Sequence, residues 1–212
     1  MPYKRIAEEL GVGVGSVHLW TSDIELTAEQ RERILRRQGE QRDPEHMRRM
    51  TGASAAMRRA RRQQWQEQGR SAARLGDSLH HAGCMLYWAE GGKDRNRIQF
   101  TNSDVQMLAV FRRFLTDALG VPRTAIRLTI NVYTNNGLSI DEIQAYWLAR
   151  LDLPVHCVRA HTLNHMPTSS SGRGRRLPYG VCTLRVNSTA NAQHIFGAIQ
   201  EYAGFEEPAW LD

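Results

Sequence analysis

Gly83-Cys84-Met85-Leu86-Tyr87-Trp88-Ala89-Glu90-Gly91 is the stretch on which the fold turns. It carries a single charge, which comes late, before Gly91-Gly92 and the polar run Lys93-Asp94-Arg95-Asn96. An apolar segment closed by two glycines reads as a helix that enters a core. Glycine takes the left-handed conformation that ends helices at little cost, so the stop is expected at Gly91 and Gly92. A carboxylate in the last turn runs against the helix dipole, whose C-terminal carbonyls favour cations. Glu90 therefore calls for compensation from solvent, from an arginine such as Arg95, or from a divalent metal, which prefers hard oxygen ligands.

The stretch resembles a divergent LAGLIDADG motif, in which an apolar helix packs against a twin and ends in an acid followed by glycine. Leu86, Ala89, Glu90 and Gly91 match that pattern. Ile98-Gln99-Phe100-Thr101-Asn102-Ser103-Asp104 resembles the strand and turn that follow it. Met85 departs from the small residue usual at its position, and Trp88 from the acid or small residue usual at its own. The resemblance implies a LAGLIDADG-like α+β domain over residues 75–212 and a homodimer formed through Gly83, Met85, Leu86 and Ala89. In a nuclease it implies Glu90 as the catalytic, metal-binding acid, one from each subunit, with Mg²⁺ or Mn²⁺ as cofactor. DNA binding alone requires no cofactor.

Downstream, residues 97–102 alternate as a strand, and Ser103-Asp104 caps a helix expected to run to Leu119, where Gly120 and Pro122 end it. Residues 127–133 alternate strictly and make the clearest strand. Asn135-Asn136-Gly137 is a turn, Ser139 caps a helix to Leu151, and a strand is expected near 156–160. Residues 162–176 read as a loop that ends in Arg173, Arg175 and Arg176, a cationic stretch suited to tracking a phosphate backbone. A strand over 181–186 and a helix from Ser188 to Tyr202 complete an α+β domain.

Upstream, Ile6, Ala7, Leu10, Val12, Val17 and Trp20 are the apolar or small positions around Gly11, the spacing of two short helices joined by a tight turn. Val17 and Trp20 are expected to bury the second helix against the first. Tyr3-Lys4-Arg5-Ile6-Ala7-Glu8-Glu9-Leu10-Gly11-Val12 resembles the helix-turn-helix of resolvase-like and homeodomain-like bacterial proteins. That resemblance implies a reading helix near 14–21 in the major groove. Ser16 and His18 would hydrogen-bond bases or phosphates and Val14 would meet a thymine methyl, while Lys4 and Arg5 held phosphates. Thr27 and Gln30 form a capping box whose helix, ending near Gln38, must support the motif, since little chain precedes it.

The net charge of +6 and isoelectric point near 9.6 favour a polyanionic partner. Residues 31–75 hold thirteen arginines against five acids, a local net of +8, so the remainder of the chain is net −2. Residues 39–52 read as a linker and 53–73 as a helix. Arg58, Arg59, Arg61 and Arg62 make it a phosphate-tracking segment between two domains, 1–38 and 75–212, with 39–74 as the arginine-rich connection. No apolar run reaches membrane-spanning length, so no membrane partner is expected, and Cys84, Cys157 and Cys182 read as reduced core thiols. A cytoplasmic, nucleoid-associated location is expected.

These observations lead to the expectation of a site-specific double-stranded DNA-binding protein, dimeric and of regulatory type. A metal-dependent homing-type endonuclease using Glu90 is the competing class, and a recombination accessory factor shares the same binding residues. No phosphate-binding loop, dinucleotide fingerprint or nucleophile elbow occurs.

Overall fold

The computed structural model describes residues 3–41, 44–133, 138–159, 161–164 and 177–211. The chain divides into two compact units, Met1–Ala55 and Ala56–Asp212. Arg173, Arg175, Arg176 and the expected turn at 135–137 lie outside the described residues.

In the first unit, α1 (Tyr3–Leu10) and α2 (Val14–Trp20) are joined at Gly11, whose φ of +64° is the left-handed conformation this tight turn needs. The amide of Val12 closes the turn on the carbonyl of Ala7. Ala7 and Val17 are the buried pair between the two helices. Trp20 is 60% exposed, against the expectation that it would join them. Val17 and Trp20 are three residues apart on a helix of seven, and the small contact made by Ala7 is filled by Val17 alone. α3 (Ala28–Gln41) starts at the expected capping box: Gln30 Oε1 accepts from the Thr27 amide, and Thr27 Oγ1 accepts from the Gln30 amide. Its Ile34 and Leu35 stay exposed, so the support expected from this helix is not given by these side chains. α4 (Pro44–Arg74) is one helix of 31 residues. Residues 44–52, expected as linker, belong to it; Pro44 occupies the first helical position, where its missing N–H costs nothing.

The second unit contains the end of α4, α5 (Ser78–Glu90), β1 (Ile98–Asn102), α6 (Val105–Arg113), β2 (Arg127–Tyr133), α7 (Ile140–Leu151), β3 (Thr162–Asn164), β4 (Val181–Val186) and α8 (Thr189–Ala203). This is an α+β arrangement with a four-stranded mixed sheet ordered β1-β4-β2-β3. β4 pairs antiparallel with both β1 and β2, and β3 runs parallel to β2. The capping residues act as anticipated: Asp104 accepts from the amides of Gln106 and Met107, Ser139 forms a capping box with Glu142, and Ser188 caps α8. α6 runs on through a π-helical turn, Phe114–Ala118. The strand expected near 156–160 is a short 3-10 turn, Val155–Cys157, joined to β2 by a single bridge at Val158; the paired strand comes later, as β3.

The core is built from one face of the sheet (Ile98, Phe100, Leu128, Ile130, Leu184) and from α5, α6, α7 and α8. Phe100 stacks on Phe111 with ring centroids 4.2 Å apart. Cys84, Cys157 and Cys182 are buried free thiols, and burial raises all three above the ordinary thiol range.

α4 enters this core, which corrects the view of 39–74 as a connection between domains. Gln66, Gly69 and Ala73 are buried at helical spacing. A Cβ at Gly69 would lie 1.9 Å from the carbonyl oxygen of His194, and one at Gly197 would lie 2.0 Å from that of Gln66, so α4 and α8 meet backbone to backbone. A buried amide network closes the contact. Gln66 Nε2 donates to Gln193 Oε1 (2.8 Å), and Gln200 Nε2 donates to Gln66 Oε1 (3.2 Å) and to the carbonyl of Phe196 (3.0 Å). At the rim, Arg74 pairs with Glu201 (2.8 Å) and Arg70 with Glu206 (2.6 Å).

Candidate nucleic-acid interface

The local sequence of α2 decides what it presents. With Val17 turned inward, Gly13, Val14, Gly15, His18 and Leu19 are exposed and Ser16 is half-buried. The rings of Tyr3 and His18 meet at right angles with centroids 5.8 Å apart, a contact between α1 and α2. Lys4 is exposed, and Arg5 is exposed with Glu9 3.3 Å away, an ion pair of small worth in solvent. The first unit therefore brings Val14, Ser16 and His18 onto one short helix.

The end of α5 differs from its sequence-based picture in three ways. First, Gly91 is extended (φ −78°, ψ 152°), and glycine is required there because a Cβ would fall 2.2 Å from the Tyr87 ring. Second, the cation that a helix C-terminus favours is Lys93. Its Nζ donates to the carbonyls of Tyr87 (3.1 Å), Trp88 (2.9 Å) and Gly91 (2.8 Å) and lies over the Tyr87 ring. Burial pulls the Lys93 ammonium below its ordinary range, and the neighbouring Glu90 carboxylate acts in the opposite sense. Glu90 is exposed. Third, Gly83 faces its own chain: a Cβ there would lie 2.0 Å from the Phe114 ring, so Gly83 is not available to a second molecule. Met85 and Leu86 are half-buried against the core and Ala89 is exposed. Along α5, Leu79 and Ala82 are also half-buried, and Trp88, exposed like Ala89, stacks on Phe205.

The sheet supplies a surface that the sequence did not announce. Period-two alternation places the core residues on one face, so the other face carries Gln99 and Thr101 of β1, Thr183 and Arg185 of β4, and Arg127 and Thr129 of β2. The register aligns them in rows. Gln99 stands opposite Arg185 and Arg185 opposite Arg127; Thr101 stands opposite Thr183 and Thr183 opposite Thr129. Arg185 Nη2 donates to Gln99 Oε1 (2.9 Å), and the two hydroxyls of Thr101 and Thr183 are 2.8 Å apart. Arg127 reaches back to the carbonyl of Thr124 (2.6 Å). Arg185 Nε is buried without a protein partner among the described residues. Like charges directly opposite on neighbouring strands destabilise a sheet, and an anion laid across Arg127 and Arg185 would relieve that repulsion. The strict alternation of 127–133 was the available signal, but which face lies open depends on the distant strand β4.

The arginines of α4 separate in three dimensions. Arg58 is exposed and Arg59 half-buried, Arg61 lies over the Trp65 ring at 5.4 Å, and Arg62 Nε donates to the carbonyl of Leu211. His161 makes a contact with Gln144 Oε1 (3.2 Å). Among the described residues no three His, Cys, Asp or Glu side chains gather into a metal-binding group, and no helix is long and apolar enough to cross a membrane.

No family model, no curated protein and no solved structure matches the chain.

Proposed function

We propose that the chain is a sequence-selective double-stranded DNA-binding protein of regulatory type. In this proposal α1 and α2 are the reading unit, and the second unit is a LAGLIDADG-like domain that pairs with a second copy through Met85, Leu86 and Ala89 of α5. The observation that carries it is the first unit: two short helices closed by left-handed Gly11 and buried through Ala7 and Val17, with Val14 and His18 turned to solvent. A helix of this size fits the major groove, where an imidazole and a small apolar side chain discriminate base edges. The arginine row of the open sheet face supports a polyanionic ligand for the second unit as well.

His18→Ala is expected to weaken binding to the preferred duplex, selected from a random pool, by about 1–3 kcal/mol and to leave binding to random duplex nearly unchanged. Competition titrations measure both. Equal losses on the two duplexes would remove His18 from base reading.

A second proposal, a divalent-metal-dependent endonuclease, is favoured by one observation. Glu90 is exposed beside the strand that begins the polar face, since the Gly92 amide bonds the carbonyl of Gln99. One carboxylate is a poor donor set for Mg²⁺ or Mn²⁺, and the described residues of a single chain gather no group that fits the ion, so this activity needs Glu90 from two copies. Cleavage of the selected duplex in Mg²⁺ or Mn²⁺ by the native chain, lost in Glu90→Gln, would establish it. Binding without cleavage would leave the DNA-binding function alone.

A further inference from the structure

Arg58 and Arg62 are four residues apart on α4 and so share a face, with Arg59 beside them. Arg95 belongs to the loop between α5 and β1, far away in sequence, and a buried amide brings it to the same place. Gln193, fully buried, donates from Nε2 to the carbonyls of Arg95 (3.2 Å) and Trp210 (3.0 Å) and accepts from Gln66 Nε2 (2.8 Å). One turn before Gln66, Arg62 Nε donates to the carbonyl of Leu211, the residue after Trp210. One node thus pins α4, the Arg95 loop, α8 and the segment Pro208–Leu211 together. Arg62 is held below its ordinary range, first by burial and then by the guanidiniums of Arg95, Arg58 and Arg59. Two acids along this side of α4 are engaged elsewhere, Glu206 by Arg70 and Glu201 by Arg74.

We infer that Arg58, Arg62 and Arg95 form a clamp for the phosphate backbone of double-stranded nucleic acid, built entirely within the second unit. The inference rests on the DNA-binding function proposed above and deepens it. Guanidiniums pair with phosphate oxygens bidentately, and successive phosphates of one strand relieve a repulsion that the free protein carries. Arg61, engaged with Trp65, is not part of the clamp. Such a contact positions the duplex and reads no sequence.

The test is fluorescence anisotropy of the full chain on a labelled duplex of random sequence, titrated over a range of KCl concentrations. The Arg95 side chain is exposed and its carbonyl makes the buried bond, so Arg95→Ala keeps the fold, which circular dichroism verifies. Arg95→Ala is expected to weaken binding several-fold and to reduce the slope of log affinity against log salt by about one, with Arg95→Lys restoring the slope. Arg113→Ala, which removes an exposed arginine near Asp117, should change neither. An unchanged slope in Arg95→Ala, with a native chain that still selects its sequence, overturns the clamp and leaves the DNA-binding function intact. A flattened slope with a native chain that selects no sequence supports the clamp and removes the sequence-reading role of α2. Absence of duplex binding by the native chain overturns both.

Discussion

Gly69→Val is expected to destabilise the second unit by at least about 3 kcal/mol, whereas Gly52→Ala on the same helix is expected to be neutral or to stabilise by up to about 1 kcal/mol. The difference is the surroundings. Any Cβ at Gly69 falls on the His194 carbonyl, and a branched side chain there would drive α4 off α8 and break the glutamine network across the contact. Gly52 faces open space, and alanine there gains helix propensity without meeting any neighbour. Urea unfolding followed by far-ultraviolet circular dichroism reads both variants. A Gly69→Val chain with the native midpoint would mean that α4 and α8 do not pack as described.

This contact also shows where the sequence stopped being legible. The buried face of α4 reads Gln66, Gly69, Ala73, which no hydrophobic periodicity reveals, because its burial depends on amide-to-amide bonds and on the absence of side chains. A basic connecting helix was the natural expectation, and the partners that overrule it, Gln193, Gly197 and Gln200, lie more than a hundred residues downstream. From β1 onward the sequence was legible where local rules sufficed. Ile98, Phe100, Leu128 and Ile130 alternate, and Asp104, Ser139 and Ser188 cap their helices as those residue types do. β3, three residues long and parallel to β2, has too little pattern to be seen and exists by virtue of its partner. The same division runs through the candidate interface. Val14 and His18 were visible from spacing around Gly11, whereas the Arg127–Arg185 row and the approach of Arg95 to Arg62 are consequences of register and of one buried glutamine.

The chain is also expected to lose stability as pH falls from about 6.5 to about 4, by up to about 3 kcal/mol from His194 alone. His80 on α5 and His194 on α8 place their Nε2 atoms 2.9 Å apart, and His80 Nδ1 lies 2.8 Å from the Tyr202 hydroxyl. The network closes with both rings neutral: the Tyr202 hydroxyl donates to His80 Nδ1, and His80 Nε2–H donates to His194 Nε2. A further proton would set N–H against N–H. Burial first, and then His80, pull His194 down to about 4. Burial likewise lowers His80, with Asp77 opposing and His81 adding to the shift, and Cys84 beside it stays a thiol. Below the ordinary histidine value the unfolded chain takes up protons that the native chain refuses. The contribution is therefore complete above about pH 6.5 and is lost as pH falls toward about 4. Urea midpoints at neutral and mildly acidic pH measure the effect, and His194→Gln should flatten it. An equal loss in the variant would place the acid sensitivity elsewhere.

Cys84, Cys157 and Cys182 are spread across a helix, a connecting turn and the central strand β4, and all three are sealed in the interior of the second unit. A thiol reagent can reach them only when the packing around them opens, so the unit carries three built-in clocks. Their order of modification would tell whether α5, the turn before β3 and the sheet come apart as one body or in succession.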